Sequence, residues 1–296
     1  MNRQLTYKID KQFDGFTVEK FLKSQGYSSA NITAIKKMPN NTVVDDTWVH
    51  MNKKLKASDV LIVNISENET SKNIPPVEMP LNIVYEDEDI IVVNKPAGLS
   101  IHPSLNHYED SLANGLVYYF KSKGQPFIFR CANRLDKNTS GLTVVAKHLV
   151  SANILSCAVK NREFHREYLA IVRGILPEKQ GTIDAPIGRI DDSIITRRVD
   201  FENGEKAITH YKVVAEENDL SLISVKLETG RTHQIRVHFK YLGYPLIGDY
   251  LYNPDMEYMS RQALHSHKIN FIHPIRKQAM EFVAPLPDDM SKLFNY

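Results

Sequence analysis

The sequence predicts an α+β protein, a mixed and largely antiparallel sheet with helices packed on it, preceded by a small α/β module. Two observations carry that expectation. Apolar runs with the β-branched look of strands outnumber runs with helical spacing, and several neighbouring strands have links of hairpin length. At 296 residues the chain can also bury a large core, in one domain or two.

In order, residues 1–65 read as a unit of their own. Val18, Phe21 and Leu22 have helical spacing behind Thr17, a cap, and Gly26 closes that helix. Ser28-Ser29 open a second helix carrying Ile32 and Ile35. Short strand-like runs follow at Thr42–Val44 and Trp48–Met51, then an alternating run from Val60 to Ile65. This set resembles the small RNA-binding module first seen in a ribosomal protein. Two features depart from it: Asp45-Asp46 stands where Asn-Gly is usual, and only Lys36 and Lys37 mark the basic helix. A packing or spacer unit is the plain alternative. Residues 66–76, SENETSKNIPP, have the composition of a linker.

Residues 77–296 form the larger unit. It opens with two strand-like runs around Glu86-Asp87-Glu88-Asp89, expected as a hairpin with a solvated acidic turn. Helices are expected from Ser111 to about Phe120, over His148–Lys160 and over Thr232–Leu242, with strands at 142–146, 163–173, 206–215 and 220–228. The run ALHSHKINFIHP through MEFVAPLP returns to strand patterns.

Composition is that of an ordinary soluble protein and excludes little. The net charge is +2, with 10 Lys/Arg against 8 Asp/Glu in residues 1–70 and 27 against 27 thereafter. Any nucleic-acid surface must therefore come from local clustering. No apolar run is long enough to span a bilayer, and MNRQLTYKID lacks a signal-peptide core. Cys131 and Cys157 make no framework, so a reducing cytoplasm, with no membrane association, is the simplest expectation. A monomer without an obligatory protein partner is the default.

The stretch Arg134-Leu135-Asp136-Lys137-Asn138-Thr139-Ser140-Gly141 sets a lone carboxylate between cations, on a turn entering the apolar run from Leu142 to Ala146. A reacting group suits such a place, and so does an Asp that pairs with Arg134 and caps a turn. Around 163–173, alternation puts Phe164, Arg166, Tyr168 and Ala170 on one face. Downstream, Gly230 turns the chain, Arg231 precedes a helix and Arg236 lies on it, beside the stripe of Ile235, Phe239 and Leu242. A cation near a helix N-terminus opposes the dipole, so an anion is expected to meet it, either Asp136 or an RNA phosphate. Dinucleotide, phosphate-loop and nucleophile-elbow signatures are absent. His265 with His267, and His233 with His238, lack acidic partners for a metal, and none is expected.

Four blocks in order, VYEDEDIIVVNKPAGLSIHP, NRLDKNTSGLTVVAKH, REFHREYLAIVRG and GRTHQIRVHFKYLGYPLIGD followed by LHSHKINFIHP, resemble the RluA-type family of RNA pseudouridine synthases over residues 77–290. Asn133 departs from the His that often opens the second block. The resemblance implies the pseudouridine synthase fold and a cofactor-free isomerisation of uridine in RNA, ribosomal more than transfer RNA. Asp136 would act as nucleophile or base, Arg236 would pair with it, and Tyr168 would stack on the uracil. Arg134 would fill the space of a flipped base, a step common to enzymes that do chemistry on bases. Arg231, Arg166 and Leu264 would line the substrate side. Arg162, Arg166, Arg197, Arg198 and Lys206 are candidates for phosphate contacts. A catalytically silent RNA binder and a uracil-releasing glycosylase are the rival readings.

Overall fold

The computed structural model describes residues 1–38, 40–104, 107–190, 193 and 195–294. The first sheet comprises β1 (Asn2–Lys8), β2 (Thr42–Val44), β3 (Thr47–Trp48) and β4 (Val60–Ser66), in the antiparallel order β1-β4-β2-β3. Helices α1 (Val18–Ser24) and α2 (Ser29–Lys36) pack on it. Thr17 caps α1, and Ser28 and Asn31 cap α2 reciprocally, each side chain accepting the other's backbone N–H. β1 has no clear signal in the sequence because its inward positions are Arg3, Leu5 and Tyr7, and a charged residue among three breaks the apolar alternation. In the β2–β3 hairpin Asp45 and Asp46 both take positive φ, the conformation that Asn-Gly would supply there. Asp45 steadies the turn by accepting the N–H of Val60 at 3.1 Å.

Among the described residues the second sheet has ten strands. On its main path lie β5 (Ile83–Glu86), β6 (Ile90–Lys95), β8 (Ser140–Ala146), β9 (His165–Arg173), β10 (Gln180–Asp184), β13 (Ile208–Glu217), β14 (Leu220–Leu227) and β15 (Leu264–Ile272). Their spatial order is β10-β13-β14-β9-β15-β8-β6-β5, with β7 (Arg130–Cys131) beside β8 and β16 (Ala279–Val283) beside β15. All pairings are antiparallel except β15 with β8. β11 (Ile187–Arg189) and β12 (Arg197–Val199) form a separate ribbon. Both faces of the large sheet are covered. Helices α3 (Leu112–Ser122) and α5 (Gln234–Tyr241) share one core with Ile91, Val93, Tyr168 and Ala170. Helix α4 (Leu149–Lys160) packs with Ile90, Val92, Leu142 and Val144 on the other face. That is why β6 and β8 read as unbroken apolar runs. The short helix α6 (Asp288–Ser291) packs against a third cluster holding Leu169 and Ile171.

One local expectation is corrected. The acidic turn is not solvated: only Glu88 of its four residues is exposed. Asp89 is fully buried, accepting from Arg3 Nε at 2.7 Å and His148 Nε2 at 3.0 Å, while Asp87 accepts from His273 Nε2 at 2.9 Å. Partners from three distant segments turn these carboxylates inward. The polar stretch after β4 is likewise fastened. Glu67 pairs with Arg130 and accepts the N–H of Leu149 at 3.2 Å, and Ser71 accepts the N–H of Phe129 at 3.0 Å. Val150 of α4 enters the core of the first sheet, which therefore packs directly on the second.

Candidate active site

Asp136 sits on the loop between β7 and β8, held from several sides. Leu135 plants the loop in the core. The buried Asn133 donates to Leu142 O at 3.1 Å and accepts the N–H of Val144 at 2.9 Å, bridging the loop to β8. Its amide does this clamping, so Asn in place of His leaves the loop anchored. Lys95, fully buried, donates to the carbonyls of Pro96, Leu99 and Lys137 at 2.8, 2.8 and 3.0 Å, and burial pushes its pKa down to about 7. Beyond the turn, Gly141 takes φ +111°, and a Cβ there would lie 2.3 Å from Ser266 O. Glycine alone lets β8 approach β15 in parallel.

Arg236 comes from α5, and both it and Asp249 are almost wholly buried. Its Nε and Nη2 donate to the two oxygens of Asp249, each at 2.7 Å, and Nη1 donates to Asp136 Oδ2 at 2.9 Å. Burial disfavours the guanidinium's charge, yet the bonds and charge of Asp249, with Asp136 beside it, hold its pKa above the ordinary value. The anion that Arg236 meets is thus Asp249 first and Asp136 second. Tyr168 is buried across the pocket, and desolvation raises its pKa, so the phenol keeps its proton at neutral pH.

One pocket collects all seven residues singled out in the sequence: Arg134, Asp136, Arg166, Tyr168, Arg231, Arg236 and Leu264. Arg166 packs its guanidinium against Gly230, with Nε buried and without a partner among the described residues. Arg231 is tied to Glu205 and to Lys206 O. His233 and Gln234 also line this pocket, although the sequence flagged the first only as a metal candidate. A larger groove continues from it past Arg134, Lys137, Lys160, Arg162, Arg166 and Arg231, with Asp136 and Glu228 as its carboxylates. Local clustering thus supplies the positive surface that bulk charge does not. Of the phosphate candidates, Arg162 and Arg166 line this groove, whereas Arg197, Arg198 and Lys206 lie outside it. Lys137 and Lys160 take their place.

The histidine pairs do not converge as ligands: His238 bonds Thr209 and Ala185 O, His265 bonds Ser140, and His267 donates to Ala284 O. Asp87, Asp89 and His273 bring ligand atoms within 4.8 Å of one another, but those atoms are already committed to protein partners.

A profile of the RNA pseudouridylate synthase family matches residues 89–241, which span β6 to α5 and carry six of the seven pocket residues, all but Leu264. The chain belongs to the RNA pseudouridylate synthase family. Among its relatives, a Bacillus subtilis (strain 168) protein described as an uncharacterized RNA pseudouridine synthase, YjbO, is 43% identical over 277 residues, covering 94% of this chain and 98% of that one. Ribosomal large subunit pseudouridine synthase D of Zymomonas mobilis (subsp. mobilis, strain ZM4) is 38% identical, covering 81% of this chain and 80% of its own. The solved structure of human RNA Pseudouridylate Synthase Domain Containing 1 superposes with a TM-score of 0.60 at 29% identity, over 71% of this chain and 85% of that one. Pseudouridine synthases are isomerases that act on RNA, and the mixed sheet described above is their fold. Among the described residues, no helix is long and apolar enough to cross a membrane.

Proposed function

We propose that this pseudouridine synthase isomerises uridine in ribosomal RNA and that Asp136 is its acting carboxylate. The observation that carries the assignment is the meeting of Asp136, Arg236 and Tyr168 in one pocket at the end of a basic groove. The target uridine leaves its stack and enters the pocket, with the Arg134 guanidinium at the rim taking its place against neighbouring bases. Asp136, paired with Arg236, acts on the nucleotide so that the bond from C1′ to N1 breaks. The uracil turns while held away from bulk water, and the bond from C1′ to C5 forms as the C5 proton departs. Tyr168, protonated and buried, stacks on the ring. Arg166, Arg231 and Leu264 complete the substrate side. Groove cations supply affinity independent of sequence. The ribosomal target is supported by relatives named ribosomal large subunit pseudouridine synthase D. Residues 1–65 serve in this reading as an RNA-binding-like module and 66–76 as its connection, with 77–296 the enzyme proper.

The test is tritium release from RNA labelled at uracil C5, made in cells lacking the enzyme. Wild type should release tritium and Asp136→Ala should not, with RNA binding retained. Binding without release by wild type would mean a silent binder, and free uracil among the products would mean a glycosylase. Release undiminished by the substitution would assign the wrong carboxylate.

A further inference from the structure

His233 lies in the wall of the pocket and has no part in the steps above. Its backbone is left-handed, φ 59° and ψ 19°, at the residue that starts α5. A side chain bearing a Cβ is seldom held there unless its surroundings enforce it, and such positions cluster at functional sites. The ring is mostly buried, with Nε2 3.7 Å from Asp136 Oδ2. That is long for a hydrogen bond, as contacts in ligand-free active sites often are.

The surroundings decide which ring nitrogen carries the proton. Nδ1 lies 2.9 Å from the Tyr252 hydroxyl, and that hydroxyl accepts the backbone N–H of Arg197 at 2.9 Å. A phenol has one proton to donate, and among the described residues His233 Nδ1 is the acceptor in reach. Nδ1 is then the lone-pair nitrogen, and the neutral ring carries its proton on Nε2, facing Asp136. Burial keeps the imidazole's pKa below its ordinary value, so the ring is neutral at physiological pH. Arg236 Nη1 donates to the same carboxylate oxygen, Oδ2. Among the described residues, Oδ1 makes no hydrogen bond.

Resting on the reading that Asp136 acts, we propose that His233 is a positioning residue, a neutral imidazole whose Nε2–H joins Arg236 in holding Asp136 by Oδ2 and leaves Oδ1 to react. Tyr252 is the group that fixes its tautomer. The experiment measures kcat and KM by tritium release, and melting temperature, for His233→Leu, His233→Gln and His233→Gly. ¹⁵N spectra of histidine-labelled wild type and Tyr252→Phe accompany them. His233→Leu should lose about tenfold or more in kcat with little change in KM, the scale of one positioned hydrogen bond. His233→Gln, which returns an N–H, should recover part of that loss. His233→Gly, whose backbone takes the left-handed turn freely, should be as slow as His233→Leu. The wild-type spectrum should show the proton on Nε2, and Tyr252→Phe should release it to both nitrogens. A proton on Nδ1, or wild-type kcat in His233→Leu while Asp136→Ala is dead, would overturn this proposal alone. A glycine variant with wild-type kcat would do the same, since it would make His233 a residue of the turn alone. Full activity in Asp136→Ala would overturn both readings.

Discussion

Asp249 touches neither pocket nor groove, yet in the proposed mechanism the reaction depends on it through Arg236. The buried guanidinium of Arg236 spends two of its three nitrogens on Asp249 and one on Asp136. Asp249 also accepts the N–H groups of Leu251 and Tyr252, at 3.1 and 3.2 Å, so its own position is fixed. Asp249→Asn keeps the shape and one acceptor oxygen but removes the charge, and turns an amide N–H₂ toward a guanidinium. Breaking a buried ion pair costs about 3–5 kcal/mol, and the low end applies because Asp136 remains as a counter-charge. A loss of about 3 kcal/mol should appear as a lower urea midpoint with unchanged m value. The catalytic effect is separate. Freed from Asp249, Arg236 is drawn onto both oxygens of Asp136 and masks Oδ1, the oxygen proposed to react. We expect kcat for tritium release to fall about 100-fold, equivalent to about 2.7 kcal/mol, with KM nearly unchanged. Wild-type kcat and midpoint in Asp249→Asn would refute the clamp. A raised KM with normal kcat would mean that Asp249 serves RNA binding instead.

Two further outcomes concern stability. Gly141→Ala should cost about 3 kcal/mol or more, since its Cβ would strike the backbone of Ser266, whereas Gly98→Ala, whose Cβ meets nothing, should cost only about 1 kcal/mol; parallel urea titrations check the contrast. His265 is buried and its pKa is pushed down to about 4, against about 6.5 unfolded. Below pH 6.5 the unfolded chain binds the proton that the folded one refuses, so stability falls as pH drops from 6.5 toward 4, by about 2 kcal/mol at pH 5 for this group. Urea midpoints at pH 7 and 5 should differ accordingly, and by less in His265→Gln.

How much of this was legible in the sequence follows from where each signal lives. The α+β class, the helices behind Thr17, Ser28 and Ser111, and the strands around Tyr168 came from local periodicity and caps, which a single segment carries by itself. The seven pocket residues lie in motif blocks whose order and separation are properties of the chain. Asp249 was in plain view, in GYPLIGD, but its role depends on a side chain thirteen positions earlier turning inward. Gly248, at φ +64° with Arg261 O only 2.1 Å from its would-be Cβ, was the one local hint that this loop is built closely. The acidic turn misled for the same reason: runs of Glu and Asp read as solvated until Arg3, His148 and His273 arrive from elsewhere. Strands β10 to β12 escaped because each holds a single large apolar residue, Ile183, Ile187 or Val199, which shows no alternation.

The placement of β15 has a consequence for the order in which the enzyme comes into being. It lies between β9 and β8, in the middle of the large sheet, yet a ribosome makes it after every other strand on that path. Until Leu264–Ile272 emerges, the strands bearing Tyr168 and following Asp136 are two separate pieces, each with an open edge. Leu264 itself enters the pocket with that strand. A nascent chain therefore has no assembled pocket with which to modify the RNA around it. With the proposed site, activity arrives late in synthesis, together with the closing of the sheet, and a chain truncated before β15 should be left with sticky edges and no chemistry.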